Sequence, residues 1–189
     1  MSTSVAAKGA QRREAGTRSV DLPQGVTAKL GVRELTIKGP NGSATKVFTR
    51  IPVDIEVKGS QVKVIPFTGK KNDVISANTV SSIVKSLVHG VTKGYEYKMK
   101  VVFAHFPVTV KIKDDQVMVE NFMGERSPRL AKILAGCKVT TEGDDIIIKG
   151  TSLEQIGQTA ANVEQATRIK RKDQRIFLDG VYVYEKKRN

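Results

Sequence analysis

A pattern of alternating apolar and polar residues occurs twice in this sequence, as Val26-Thr27-Ala28-Lys29-Leu30 and, 82 positions later, as Val108-Thr109-Val110-Lys111-Ile112. Alternation with a period of two predicts half-buried β-strands. The same offset aligns a second strand-like segment and the turn after it: Leu35-Thr36-Ile37 with Val117-Met118-Val119, and Gly42 with Gly124. Because 82 residues is longer than a solenoid repeat, the register predicts two tandem copies of one small domain.

Each copy ends in a segment with helical periodicity. In the first copy, Ser76 or Asn78 is expected to cap the helix and Gly90 to lie at its end. Its apolar stripe recurs three or four residues apart: Val80, Ile83, Val84, Leu87, Val88 and Val91. In the second copy, Thr151 and Glu154 have the spacing of a capping box. A stripe follows them: Leu153, Ile156, Ala160 and Val163.

These patterns predict an α+β fold of two tandem duplicated domains, each an antiparallel sheet packed against one helix. Residues 1–18 are rich in Ser, Thr, Ala, Gly and Arg without apolar periodicity, which predicts a flexible N-terminal extension. The first α+β domain is expected over 19–93 and the second over 94–184. Residues 185–189 are expected to form a basic C-terminal tail.

Composition excludes several classes of protein. The longest apolar run, Val101–Ala104, is far shorter than the ~20 residues of a membrane-spanning helix. No secretory signal is found at the N-terminus. Cys137 is the single cysteine and cannot form an internal disulfide, which fits a reducing compartment. A soluble, intracellular protein without a membrane partner is therefore expected.

The charge balance points to a polyanionic partner. The chain carries 32 Lys and Arg against 19 Asp and Glu, for a net charge of +13. Such an excess attracts nucleic acid over long distances, although a merely soluble protein with a basic surface would have the same composition. Five cations cluster within eight residues: Arg168, Lys170, Arg171, Lys172 and Arg175.

Catalytic chemistry finds little support. His89 and His105 have no carboxylate or cysteine at motif spacing, and Cys137 has no activating context. The acidic pairs Asp114-Asp115 and Asp144-Asp145 are predicted at hairpin tips, where Asp stabilises its own turn. No glycine-rich phosphate-binding motif occurs. An RNA-processing enzyme stays open as a rival class, but the sequence predicts no enzyme, no cofactor and no metal site.

Nucleic-acid binding would depend on cations rather than base stacking. Aromatic residues make up 5% of the chain and Trp is absent, so Lys and Arg contacts with phosphates of a folded nucleic acid are expected. The cluster at 168–175 follows the second predicted helix. One or two cations would suffice to complement its dipole, so five favour a phosphate site.

Two weaker candidate sites accompany that cluster. The loop with Gly124, Arg126 and the nearby Arg129 could contact RNA, and an ordinary charged turn is about equally plausible. Lys98 and Lys100 alternate with a core-facing series on one strand, where a solvated face is the more favoured interpretation.

Four segments together resemble the universal ribosomal protein L6 family in its eukaryotic/archaeal form, over about residues 19–184. They are Gly90-Val91-Thr92-Lys93-Gly94-Tyr95-Glu96-Tyr97-Lys98-Met99, Ala104-His105-Phe106-Pro107, Asn121-Phe122-Met123-Gly124-Glu125 and Lys172-Asp173-Gln174-Arg175-Ile176-Phe177-Leu178-Asp179-Gly180-Val181-Tyr182-Val183. The resemblance implies two tandem, duplicated α+β domains, in agreement with the internal register.

The resemblance also implies a function. A structural constituent of the large ribosomal subunit is expected, binding large-subunit rRNA near the sarcin-ricin loop and stalk base, mainly through its second domain. Neighbouring ribosomal proteins would be partners, with translational GTPases nearby. The expected location is the cytoplasmic ribosome, with nucleolar assembly in a eukaryote. The alternative is an RNA-binding accessory factor outside the mature ribosome.

Overall fold

The structure is a computed structural model that describes residues 16–170, 172–173 and 175–188. It divides into two compact units, the first ending at Thr92 and the second beginning at Lys93. Most of the predicted N-terminal extension, residues 1–15, lies outside the described residues. Arg18, which was assigned to that extension, is the first residue of a strand.

The first unit combines two antiparallel sheets with a long helix. Its elements follow the order β1 (Arg18–Asp21), β2 (Thr27–Leu30), β3 (Glu34–Gly39), β4 (Gly42–Val47), β5 (Val53–Lys58), β6 (Gln61–Pro66) and α1 (Lys71–Thr92). One sheet has the strand order β1-β6-β5 and the other β2-β3-β4. The helix packs against β6, β1, β3 and β4 over a shared apolar core.

The second unit follows the same plan with one additional strand and a short 3-10 turn. Its elements are β7 (Tyr95–Val102), β8 (Thr109–Lys113), β9 (Gln116–Glu120), a 3-10 turn (Phe122–Gly124), β10 (Arg129–Lys132), β11 (Cys137–Glu142), β12 (Asp145–Gly150), α2 (Leu153–Ala166) and β13 (Gly180–Arg188). The strand orders are β10-β9-β8 and β11-β12-β7-β13. The helix packs against β10, β12, β7 and β13. In the described residues, no helix combines the length and apolar content of a bilayer crossing.

The predicted fold class is confirmed, because each unit is an antiparallel α+β arrangement and the two share one plan. The internal register holds in three dimensions: Thr27 pairs with Lys38 in the first unit, and Thr109 pairs with Glu120 at the same offset in the second. In detail, the strands of each unit are divided between two sheets instead of forming one.

The duplicated hairpins differ in the loop that closes them. Residues 40–41 alone join β3 to β4, whereas residues 121–128 join β9 to β10. The second unit therefore has a longer loop at the position where the first has a tight turn.

The helical stripe is confirmed in α1, where Val80, Val84, Val88 and Val91 are buried in the first core. Its predicted ends are wrong. The helix begins at Lys71, so Ser76 lies inside it and donates to the carbonyl of Asn72, while Asn78 accepts from Arg18 Nε at 2.7 Å. Gly90 is also internal, because buried apolar contacts carry the helix on to Thr92.

Two expectations in the second unit are also corrected. The cap of α2 is Ser152, whose Oγ accepts from the Gln155 amide, so the predicted Thr151–Glu154 box is misplaced by one residue. Residues 185–188, expected to form a tail, continue β13, and Arg188 pairs with Tyr95 of β7. Pairing with a central strand accounts for order in this basic segment.

The tight β3–β4 turn closes the C-terminus of α1. The Asn41 amide N–H donates to the Val91 carbonyl at 3.0 Å, and its side-chain Nδ2 donates to the Thr92 carbonyl at 2.9 Å. Gly39 allows this approach, since a Cβ there would lie 2.8 Å from the Val91 carbonyl oxygen. Carbonyls that the last turn of a helix leaves unpaired are thereby satisfied.

We expect Gly39→Ala to lower the free energy of unfolding by about 1–3 kcal/mol, because the added methyl group overlaps the Val91 carbonyl. The matched variant Gly157→Ala lies within α2 with open space at its Cβ. It should raise stability by about 0.5–1 kcal/mol through helix propensity. Urea unfolding followed by circular dichroism measures both, and a Gly39→Ala protein as stable as wild type would contradict the close approach.

Candidate nucleic-acid interface

Arg129, the first residue of β10, connects two segments that are distant in sequence. Its guanidinium forms a fork with the Glu125 carboxylate, with Nη2 at 2.6 Å and Nε at 2.8 Å from the two oxygens. Nη1 donates to the carbonyls of Ala166 and Arg168, each at 3.0 Å. The loop between β9 and β10 is thereby fixed to the end of α2.

These contacts use most of the hydrogen-bonding capacity of Arg129. Four of its five N–H donors are engaged inside the second unit, and its charge lies 4.4 Å from the centre of the Phe122 ring. The hydrogen bonds from Arg129 hold the pKa of Glu125 below its ordinary value, and those to Glu125 raise the pKa of Arg129. Arg129, predicted as an rRNA contact, therefore uses its guanidinium mainly to hold neighbouring segments of the second unit together.

The loop 121–128 has a fixed backbone conformation. Asn121, Met123 and Gly124 adopt positive φ angles of 58°, 54° and 73°. A Cβ on Gly124 would lie 3.3 Å from the Phe106 ring, so the loop packs closely against residues 103–107. Asn121 Nδ2 also donates to the Pro107 carbonyl at 3.0 Å.

The segment after α2 is anchored at its start by Thr167, which is buried. The Thr167 hydroxyl donates to the Val163 carbonyl and accepts from the Val181 amide at 3.1 Å, so the helix end is tied to β13. Ile169 is buried while Arg168 and Lys170 on either side of it are exposed. A groove of about 530 Å³ lies against this segment, with Arg168, Phe177 and Tyr182 in its lining.

Asp179 fixes the far end of that segment. Its carboxylate is 2% exposed and accepts from the Ala104 amide at 2.8 Å, the His105 amide at 3.4 Å and His105 Nδ1 at 2.9 Å. Burial alone would raise the pKa of Asp179, but the hydrogen bonds from Ala104 and His105 outweigh it and lower that pKa. The buried charge thus holds the segment against residues 103–107.

Three segments therefore meet in the second unit, and we call residues 103–107 and 121–129, together with the described residues of 167–179, the loop surface. Its exposed cations are Arg126, Arg168, Lys170, Lys172 and Arg175. Arg175 is paired with Asp173 at 2.9 Å, and Lys172 Nζ lies 4.5 Å from the Phe177 ring. Arg171, a further predicted contact, lies outside the described residues.

Lys98 and Lys100 do not belong to this surface. They alternate with the buried Met99 and Val101 on β7 and so face away from the core. Lys98 is paired with Glu185 of β13 at 3.1 Å, and hydrogen bonding to Glu185 raises its pKa. The solvated strand face favoured from the sequence matches this placement.

The described residues offer little for catalysis or metal binding. They contain no cluster of three His, Cys, Asp or Glu side chains that could hold a metal ion. Burial raises the pKa of the Cys137 thiol, which accepts a hydrogen bond from Thr159 Oγ1, so a reactive thiolate is disfavoured. Asp114-Asp115 lies in the turn between β8 and β9, as predicted.

Comparison with known families identifies the family to which this chain belongs. The sequence pattern of the family described as "Ribosomal protein L6" matches the chain twice, over residues 22–94 and 106–180. The chain belongs to the ribosomal protein L6 family. The second match lies within the second unit, and the first match covers most of the first unit and extends two residues past its end at Thr92. The family is a structural, non-enzymatic component of the ribosome, so the prediction that the chain is not an enzyme is confirmed.

Individual relatives agree with this assignment. The chain is 45% identical to a "Large ribosomal subunit protein uL6" of Methanobrevibacter smithii over 168 residues, which cover 88% of the chain and 94% of the relative. A protein of the same name from Ignicoccus hospitalis is 41% identical over 176 residues, covering 87% and 91%. These relatives are archaeal, and the predicted eukaryotic/archaeal form of the L6 family is thereby confirmed.

Sequence reasoning missed part of the loop surface. The sequence singled out His105 as a poor catalytic candidate, and it gave Phe177 and Asp179 no role beyond the L6 resemblance. The pairing of Asp179 with His105 could not be predicted, because 74 residues separate them and no motif spacing links them. The available signal was the position of Asp179 directly after the apolar run Ile176-Phe177-Leu178, since an acid that is buried with such a run requires hydrogen-bond donors from elsewhere in the chain.

We expect the Asp179→Asn variant to be destabilised, with a loss that depends on pH. Because the pKa of Asp179 is lowered on folding, its carboxylate contributes stability above its unfolded pKa, and that contribution is lost as the pH falls through the folded value. The difference in unfolding free energy between wild type and Asp179→Asn should be largest above about pH 5 and shrink toward pH 3. Denaturant unfolding across this range measures it.

The matched control is Asp114→Asn, an exposed acid in the β8–β9 turn, which should change stability by less than about 0.5 kcal/mol at every pH. A wild-type-to-Asp179→Asn difference that stayed constant from pH 7 to pH 3 would contradict the role of the buried charge.

Proposed function

We propose that this protein is a structural constituent of the large ribosomal subunit and that its loop surface binds the phosphate backbone of large-subunit rRNA, near the sarcin-ricin loop and the stalk base. The observation that carries the proposal is the set of exposed cations on segments that Arg129 and Asp179 fix in place. The archaeal relatives, named as large-subunit proteins, support the same setting.

Preorganisation makes this surface suited to a folded RNA. Cations on braced loops lose little conformational entropy on binding, so more of their attraction to phosphate is expressed as affinity. The acidic groups nearby are engaged internally, Glu125 by Arg129 and Asp173 by Arg175. The surface thus presents positive charge in a fixed shape, which favours reading the backbone of a duplex or tertiary fold over reading bases.

The remaining partners follow from that location. Neighbouring large-subunit proteins would contact other faces of the protein, and translational GTPases would dock nearby. The second unit is the main rRNA-binding part in this proposal. The protein would work on cytoplasmic ribosomes, with nucleolar assembly if the cell is eukaryotic.

We expect the double variant Lys170→Glu/Lys172→Glu to bind deproteinised large-subunit rRNA at least tenfold more weakly than wild type, because each reversal replaces a phosphate attraction by a repulsion. The matched control is Lys113→Glu/Lys138→Glu, which makes the same charge change on exposed residues of β8 and β11 outside the loop surface. Filter binding with the full-length protein measures both.

Salt provides a second readout of the same contacts. If about 6–10 phosphates are neutralised, raising salt from about 50 to 200 mM should weaken wild-type binding by about 10³–10⁵-fold. A flat salt response, or equal losses in the two double variants, would contradict the proposed surface. Stoichiometric co-sedimentation with large subunits would separate a ribosomal constituent from an accessory factor outside the ribosome.

A further inference from the structure

His105 lies in the middle of the loop surface in a fixed orientation. Its amide N–H and its ring Nδ1 both point to the buried Asp179 carboxylate, at 3.4 and 2.9 Å. Its ring stacks on Phe177 with centroids 4.9 Å apart. The ring side chain is nonetheless 39% exposed, so this oriented imidazole faces outward.

The segment that carries His105 is held on both sides. Asp179 binds the backbone at Ala104 and His105, and Asn121 binds the Pro107 carbonyl. Three donors from one short loop satisfy a carboxylate that is almost fully buried. Burying a charge is costly unless it is fully hydrogen-bonded. Here the hydrogen bonds that satisfy the Asp179 carboxylate also fix the position of the loop that carries His105.

The surroundings of His105 are cationic. His105 and Lys172 both lie within 5 Å of the Phe177 ring, the imidazole centroid at 4.9 Å and Lys172 Nζ at 4.5 Å. Arg168 and Lys170 precede Lys172 on the same segment and are exposed. A polyanion that binds these cations would pass beside the exposed side of the imidazole.

The hydrogen bond to Asp179 determines what the ring can offer. An ionised carboxylate only accepts, so Nδ1 carries a proton, and Nε2 has no hydrogen bond among the described residues. Nε2 accepts a hydrogen bond when the ring is neutral and donates one when it is charged. The RNA backbone provides a partner for each form, the ribose 2′-hydroxyl as donor and the phosphate oxygen as acceptor.

We propose that His105 contacts the ribose–phosphate backbone of RNA through Nε2, and that Asp179 is the residue that positions it. This inference rests on the proposed function and adds to it a contact that no charge cluster indicates. His105 is then a binding residue, whereas Asp179 acts only through it.

Two amide substitutions separate contact from scaffolding. Asn places its amide nitrogen near the position of Nδ1, so His105→Asn can keep the bond to Asp179 but has nothing at Nε2. Gln reaches the position of Nε2, so His105→Gln can keep the outer contact and loses the inner bond. The probe is deproteinised large-subunit rRNA from an archaeon, bound by the full-length protein, with thermal unfolding measured in parallel.

We expect His105→Asn to bind this rRNA about tenfold more weakly at unchanged stability, as the loss of one hydrogen bond to the RNA backbone implies. His105→Gln should lie within about threefold of wild type in binding, with a lower unfolding temperature. Binding of His105→Asn equal to wild type overturns the inference. So does weak binding confined to His105→Gln, because that result assigns His105 a purely structural role.

The Lys170→Glu/Lys172→Glu variant makes the two possible failures distinguishable. If it loses binding while His105→Asn does not, the loop surface binds RNA and only the histidine contact is overturned. If neither variant loses binding, the loop surface is not the rRNA-binding face, so that part of the proposed function fails and the inference fails with it.

Discussion

The guanidinium of Arg129 is the contact on which the second unit's loop surface depends. It joins the Glu125 carboxylate to the carbonyls that end α2, and it covers the Phe122 ring. A planar fork satisfies several acceptors in one geometry, which a lysine could not do. Without it, the carboxylate and the helix carbonyls would lose their partners together, and the expanded loop would lose its attachment to the cationic segment.

The two duplicated units satisfy the carbonyls at the end of their helices in different ways. In the first unit a two-residue turn reaches the end of α1 directly, through the backbone and side chain of Asn41. In the second unit residues 121–128 replace that turn, and Arg129 makes the corresponding contacts with the end of α2. The scaffold keeps its register while one loop becomes longer, and loops on a rigid scaffold are where binding residues concentrate.

Periodicity was sufficient to predict the duplicated α+β fold, because the strand register and the α1 stripe are local patterns. The ends of α1 could not be predicted in the same way, since the helix begins at Lys71 and tertiary contacts extend it beyond Gly90. The cationic cluster could be read from its density of charge. The internal role of Arg129 could not, because its carbonyl partners are 37 and 39 residues away. The hydrogen bond between His105 and Asp179 could not be predicted either, because 74 residues separate them.

The central claim is that the loop surface of the second unit, braced by Arg129 and Asp179, is the face that meets rRNA. Ultraviolet cross-linking of assembled large subunits, followed by mass spectrometry of the protein, tests it most directly. Nucleotide adducts should concentrate within residues 103–107, 121–129 and 167–179. Adducts confined to other faces, with these three segments unmodified, would contradict the account.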